Sequence, residues 1–293
     1  MRIVTRPDFD GVVCAVLLYE TENITEPVNW VEPDEIQKGS ADIQQGDIIA
    51  NLPYHEKCAL WFDHHYTNQI DKPFKGSFKI APSAAGVVFE YYRNELQSDY
   101  SELIKETDKI DSANLSKDEV LCPENYPYVL LSMTFSGHNR ADELYWNRLV
   151  DLLGRFEIKR IHDDPEVKER SKAVIERNEK YKEYIKEYTE LRQHVSITDF
   201  RSLPEAPSGN RFLVYLMYPE SVVNMKIRYD SEKKEKIIVN LGHSIFNPNC
   251  NVNVGELLSR FGGGGHRGAG SCSFGSGEAD NIIPAIIDTL LRN

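Results

Sequence analysis

The first half of the chain alternates short apolar runs with helical patterns, and that rhythm limits the folds open to it more than any other feature. Residues 3–4, 28–31, 47–50 and 58–62 read as short strands. Residues 11–20, a stretch opened by Ser83 and running to Leu96, and residues 103–108 carry apolar side chains at helical spacing. Pro33, Asn51-Leu52-Pro53 and Pro82 punctuate these elements. Strands separated by helices pair in parallel, so we expect an α/β fold whose N-terminal sheet is mostly parallel, with helices on both faces. Ligands of such sheets gather beyond the carboxyl ends of the strands. Asp8, Asp10, Asn51, Asp63 and His64 each follow a strand-like run, so one rim can collect them.

The pattern changes after residue 164. Residues 165–192 are densely charged, with Val167, Val174, Ile175, Tyr181, Tyr184, Ile185, Tyr188 and Leu191 at roughly helical spacing. This predicts a long amphipathic linker helix with a solvated charged face. A segment rich in Pro, Ser and Gly follows at 202–210. Strands are then expected over 211–217, 222–228 and 236–241, a helix over 254–261, a strand over 269–274 and a last helix over 278–291. The expected division is a first domain at 1–164, a linker helix at 165–194, and a second, smaller α/β domain at 195–293.

Composition narrows the partners. With 34 basic against 46 acidic residues the net charge is −12, which repels long polyanions and argues against tight binding of duplex nucleic acid. A short oligonucleotide or small nucleotide held by a local basic pocket and a metal stays within reach. Five scattered cysteines without a CxxC spacing argue against a disulfide framework and fit a reducing, cytoplasmic setting. No apolar run approaches the ~18 residues of a membrane span. A homodimer is compatible with the sequence.

Three strings carry chemistry. Asp8 and Asp10 lie two apart, so in extended backbone both carboxylates face one cation; as turn or N-cap residues they would instead start a helix. Asp63-His64-His65 places a carboxylate and two imidazoles behind an apolar run, and strand alternation would turn one imidazole toward the site and the other away. Mixed carboxylate and imidazole donors suit Mn²⁺, Fe²⁺ or Co²⁺, with Zn²⁺ and Mg²⁺ as competitors. Gly263-Gly264-Gly265-His266-Arg267 offers backbone amides unobstructed by Cβ atoms and two charged donors, a cradle for phosphate unless it is only a surface loop. Trp61 and Phe62 read as packing, and Cys14 and Cys58 as core. His138, His162 and His194 have no neighbours that suggest a role, whereas His243 has a slight claim to face the site.

Asp8-Phe9-Asp10, Asp63-His64-His65, Thr107-Asp108-Lys109-Ile110-Asp111 and the run Gly263 through Gly270 occur in the order seen in the DHH phosphoesterase superfamily with its C-terminal DHH-associated domain. The chain resembles that family over essentially its whole length. It looks most like the small members that act on short oligonucleotides, phosphoadenosine phosphates, linear or cyclic dinucleotides, or polyphosphate. The resemblance implies a Mn²⁺-type centre in a metal-binding catalytic domain at 1–164 and a DHH-associated substrate-binding domain at 195–293, with the linker helix letting the glycine loop close on the metal rim. Asp8 and Asp10 would each bind one of two metals, and His64 and Asp108 would complete the Asp10 site. Asp63 would orient His64, His65 would touch the phosphate or leaving oxygen, and Asp111 is a lesser alternative to Asp108.

Two positions depart from the family pattern. Val4 stands where a histidine is usual, and Asn51 where an aspartate usually bridges both metals. His55 is a candidate substitute ligand. The expectation is therefore one firmly bound ion rather than two, in a metal-dependent phosphoesterase acting on a small nucleotide, a short oligonucleotide or polyphosphate. The alternative is a nucleotide-binding protein whose degenerate metal centre hydrolyses little or nothing.

Overall fold

A computed structural model describes residues 1–135, 140–230 and 233–293. Contacts divide the chain into two compact units, Met1–Leu115 with Pro123–Lys172, and Ser116–Cys122 with Ala173–Asn293.

Five strands build the sheet of the first unit: β1 (Ile3–Thr5), β2 (Asn29–Trp30), β3 (Asp47–Ala50), β4 (Cys58–Asp63) and β5 (Gly76–Phe78). Their order is β2-β1-β3-β4-β5 and every pairing is parallel, as expected, although no α-helix separates β3 from β4 or β4 from β5. One apolar cluster joins Ile3, Ile48 and Phe62 to helices Phe9–Thr21, Ala84–Tyr91 and Glu143–Arg155. A second gathers Val4, Val31, Ile49, Leu52 and the fully buried Trp61 on the other side. Trp61 and Phe62 are packing residues with no exposed surface, and Cys14 is core while Cys58 is half-buried. β5 and the helix Glu143–Arg155 lie outside the sequence reading.

The second unit carries β6 (Thr189–Arg192), β7 (Val195–Asp199), β8 (Val223–Tyr229), β9 (Lys236–His243), β10 (Gly264–His266) and β11 (Ala269–Gly275). Their order is β10-β11-β9-β8-β7-β6, antiparallel except between β7 and β8. Helices Val254–Ser259 and Ala279–Leu291 cover one face over Val223, Met225, Ile227, Val239 and Leu241.

Two expectations about elements fail for local reasons. The long helix stops at Tyr188, because residues 189–192 pair with β7 and Gln193 turns the chain at φ 55°. Residues 211–217 are not a strand: Leu213–Met217 is a short helix, with Asn210 accepting the Phe212 N–H at 3.0 Å. A continuous apolar run such as Leu213-Val214-Tyr215-Leu216-Met217 has no period by which to tell the two apart.

Candidate metal centre

The carboxyl ends of β1, β3 and β4 present the expected residues on one rim of the first unit. After β1 the chain turns tightly at Arg6-Pro7, and a Cβ on Gly11 would stand 2.0 Å from the Arg6 carbonyl oxygen, so only glycine permits the turn. Asp8 is the N-cap of helix Phe9–Thr21, its Oδ1 accepting the Gly11 N–H at 2.8 Å. The same oxygen accepts the Asn51 Nδ2 donor at 3.0 Å, and Arg6 Nε lies 3.2 Å from Asp8 Oδ2. Asp8 is therefore an N-cap and a member of the rim at once.

Asp10 is 2% exposed and sits at the N-terminus of helix Ala84–Tyr91, where Ala84 and Ala85 donate their N–H groups to its two oxygens at 2.9 and 2.8 Å. Burial, with the charge of Asp8 added, pushes its carboxyl up to about 7 despite those donors. Burial also raises Asp8, against the opposing pull of Arg6. Two carboxylates this disfavoured as anions call for a cation beside them.

His64 supplies the sharpest signal. Its Nδ1 lies 2.9 Å from the Ala81 carbonyl oxygen, which can only accept, so Nδ1 carries the proton and Nε2 a lone pair. Nε2 is buried without a hydrogen-bond partner, 3.8 Å from Asp10 Oδ2 and 3.4 Å from Asp111 Oδ2. Burial, then the charge of His65, lowers its pKa and keeps it neutral. A lone pair facing two carboxylates is repulsive unless a cation lies between them. The donor atoms of Asp10, His64 and Asp111 all fall within 4.8 Å of one another, a two-carboxylate and imidazole set that fits a divalent metal.

The third expected ligand of this site is where geometry and expectation part. Asp108 accepts the Ser83 hydroxyl at 2.5 Å, in a half-buried position that raises its carboxyl, and it belongs to neither ligating cluster found among the described residues. Asp111, one helical turn on, stands against His64 instead. Asp63 differs from expectation too. It is fully buried and holds His65, not His64: His65 Nδ1 lies 2.8 Å from Asp63 Oδ1, while Asn68 donates to Oδ2 at 2.7 Å. Burial would lower His65, but the bond to Asp63 and its charge outweigh that, and the net shift is upward. Both imidazoles lie beyond the end of β4, so strand alternation no longer separates them and their ring centres are 4.1 Å apart.

The departures from the family pattern have different fates. Val4 is fully buried among Val31, Ile49 and Trp61 and takes no part in the rim. Asn51 does, at φ 57° just after β3, with its Oδ1 buried and unpartnered while Nδ2 serves Asp8. His55 lies in the turn before β4, with Nδ1 accepting the Lys57 N–H at 3.3 Å, and joins neither cluster.

In the second unit, Gly264–His266 is the edge strand β10 rather than a free loop. A Cβ on Gly263 would stand 2.3 Å from the Ser271 carbonyl oxygen, so glycine there serves close backbone packing. Arg267 and Gly268 form the tip of the β10–β11 hairpin, and His266 and Arg267 are exposed. His243 is structural, its N–H donating to the Gly268 carbonyl and its Nε2 paired with the Val252 carbonyl; His162 and His194 likewise hold backbone carbonyls. His138 falls outside the described residues.

Sequence reasoning missed Arg6, Ser83 and Asn68 at the rim. It also missed a polar row across the second sheet with a lysine at its centre. Thr198, Lys226, Asn240 and Ser271 lie directly opposite one another across β7, β8, β9 and β11. Lys226 forms no ion pair among the described residues, and burial with the nearby charges of Arg228 and Arg211 lowers its pKa. The alternation Asn224-Lys226-Arg228 within β8 is the signal that was available.

A rim of carboxylates and an imidazole at the carboxyl ends of a parallel sheet, with an Asp–His pair beside it, suits metal-assisted chemistry on a phosphate ester. No family model matches the sequence, and no curated protein matches it. Among solved structures the chain is similar to PggH, a pGpG-specific phosphodiesterase from Vibrio cholerae, at 34% identity over 99% of each chain and a TM-score of 0.83. It shares its fold with RecJ from Thermus thermophilus in complex with Mn²⁺, at 12% identity, 100% of this chain, 52% of that one and a TM-score of 0.59. An exonuclease RecJ bound to manganese matches at 11% identity, 100% of this chain, 90% of that one and a TM-score of 0.55. The chain belongs to the DHH family of phosphoesterases.

Proposed function

We propose that this enzyme cleaves the phosphodiester bond of short linear dinucleotides of the pGpG kind, releasing mononucleotides, with one divalent ion held firmly by Asp10, His64 and Asp111. The observation that carries this is the buried, unpartnered His64 Nε2 facing two carboxylates. The relative that acts on pGpG, alike over the full length of both chains, supports the substrate class. Asp8 and the unpartnered Asn51 Oδ1 make a second, weaker cation position, since a neutral amide attracts a cation less than a carboxylate does. Mn²⁺ suits the donor set best, with Co²⁺, Mg²⁺, Fe²⁺ and Zn²⁺ as competitors.

A bound divalent ion supplies Lewis-acid polarisation of the phosphoryl group and a more acidic water. The chain's own residues do the rest. The Ala81 carbonyl fixes the tautomer of His64 so that Nε2 stays a ligand. Asp63 holds the proton on His65 Nδ1 and favours its charged form, so that His65 Nε2 donates to a phosphate oxygen or to the leaving oxygen. In the second unit the exposed His266 and Arg267 at the hairpin tip, together with Lys226 and Arg228, offer positive charge for phosphate, whereas the Gly263 N–H is spent on the Leu258 carbonyl at 3.0 Å and takes no part in a cradle. The −12 net charge disfavours long duplexes, and the cysteines, none of them paired, suit a reducing cytoplasm. No helix among the described residues is long and apolar enough to cross a membrane.

The test is a substrate panel with chelator-stripped protein reconstituted with each metal. Linear pGpG should be converted to mononucleotide faster than phosphoadenosine phosphate, cyclic dinucleotide or polyphosphate. Preference for polyphosphate or phosphoadenosine phosphate with pGpG inert would overturn the substrate class. No turnover with any metal would favour the degenerate nucleotide binder.

A further inference from the structure

We propose that Tyr66 is a stacking platform for a nucleobase of the substrate, with the exposed Ile80 on the segment after β5 adding apolar surface; the proposal rests on the dinucleotide reading above and adds a specificity residue to it. Tyr66 and Ile80 are each 71% exposed, far more than an ordinary packing residue of this unit. Both are fixed to the histidine pair by backbone. Tyr66 follows His65 directly and opens a single 3-10 turn, closed by the Asn68 N–H donating to the His65 carbonyl at 2.9 Å. The Asn68 side chain then ties that turn to Asp63. Ile80 sits between Lys79, whose N–H donates to the Asp63 carbonyl at 3.2 Å, and Ala81, whose carbonyl holds His64.

The Tyr66 side chain is also unengaged. Among the described residues its ring stacks on no other ring, lies under no cation, and its hydroxyl makes no hydrogen bond. The neighbouring tyrosines behave differently: Tyr54 packs on Trp61 with Lys72 over its ring, and Tyr91 and Tyr92 pack on Phe62. An exposed phenol contributes nothing to the core, yet it stands one residue from the group assigned to the leaving oxygen. The rim itself is crowded with carboxylates (Asp8, Asp10, Asp63, Asp111), which offer a base no apolar surface. A flat ring does, because every base has a π-face and stacks without regard to its hydrogen-bonding edge. Substrates with a base next to the scissile phosphate gain that contact, and polyphosphate cannot.

Tyr66→Ala and Tyr66→Phe separate the ring from the hydroxyl, and at so exposed a position neither threatens folding. With pGpG, Tyr66→Ala should raise KM about 5- to 150-fold, the range one stacked base is worth, with kcat moved far less, while Tyr66→Phe stays close to wild type. The Ala penalty should vanish on a linear dinucleotide whose base at the stacked position is replaced by an abasic sugar. A metal-free binding measurement stands apart from turnover: a dinucleotide carrying 2-aminopurine should lose fluorescence on binding wild type in EDTA, and lose much less with Tyr66→Ala. Equal KM values for wild type and Tyr66→Ala on pGpG, or equal 2-aminopurine quenching by both, would overturn the assignment. Failure of pGpG turnover with tyrosine-dependent quenching intact would instead remove the dinucleotidase reading and leave the platform standing.

Discussion

Replacing Asp10 by asparagine in metal-free protein should change stability with opposite signs on the two sides of neutrality. Asp10 is 2% exposed, and burial with the Asp8 charge raises its carboxyl from 3.8 to about 7. The folded protein therefore holds that proton more tightly than the unfolded chain does. The cost of ionising the buried acid is absent below about 3.8, grows as pH rises, and is complete above about 7. That gap, at about 1.4 kcal/mol per pH unit, amounts to about 4 kcal/mol of destabilisation on the alkaline side. Asparagine escapes it. In exchange its amide nitrogen cannot accept, so one of the N–H groups of Ala84 and Ala85 loses its partner, at about 1–3 kcal/mol. In EDTA, Asp10→Asn should thus be more stable than wild type by about 1–3 kcal/mol near pH 8, and less stable by about 1–2 kcal/mol near pH 4. Urea denaturation followed by circular dichroism at both pH values reads this directly. Saturating Mn²⁺ should reverse the alkaline order, because only wild type gains binding energy. Parallel stability curves for the two proteins from about pH 4 to 8 would refute the reasoning: Asp10 would then ionise normally in the fold, and the electrostatic demand for a cation would be gone.

Other substitutions test the ligand set and the second unit. Asp111→Asn should weaken Mn²⁺ binding by more than the roughly 10- to 100-fold typical of outer-shell partners, and Asp108→Asn by less, in titrations of stripped protein; the reverse order would return the ligand role to Asp108. His64→Ala should lose metal and turnover together, and retention of both on elemental analysis and assay would defeat the metal-centred reading. Arg267→Ala should keep its metal while dinucleotide affinity falls by about 1.5–3 kcal/mol, as for one charge-assisted hydrogen bond, whereas unchanged affinity would exclude the hairpin tip from phosphate binding.

The elements most legible in the sequence were those fixed by local pattern. Alternation of short apolar runs with helical periods was enough for a parallel sheet, because helices between the first strands return the chain to the same end and both faces must be buried. Asp8, Asp10, Asn51, Asp63 and His64 were placed on one rim for the same reason: each follows a strand, and parallel strands end together. The apolar run 211–217 was misread because an aperiodic stretch carries no sign of its backbone. Only the tertiary structure decided which groups meet. Asp108 and Asp111 lie on one helix three residues apart, and their sequence does not say which one the neighbouring Ser83 hydroxyl claims and which is left facing His64. His64 and His65 are adjacent, yet His65 is held by Asp63 two residues before it and His64 by Ala81, a partner that depends on how β5 and the following turn dock against β4. Residue types and their order therefore determined that carboxylates and an imidazole share one rim, since local periodicity and strand direction are properties of the chain itself. The contacts that hold Asp8 to Asn51, Asp10 to the helix Ala84–Tyr91, His64 to Ala81 and Asp108 to Ser83 join segments far apart in the chain, and those exist only once the sheet and its helices have packed.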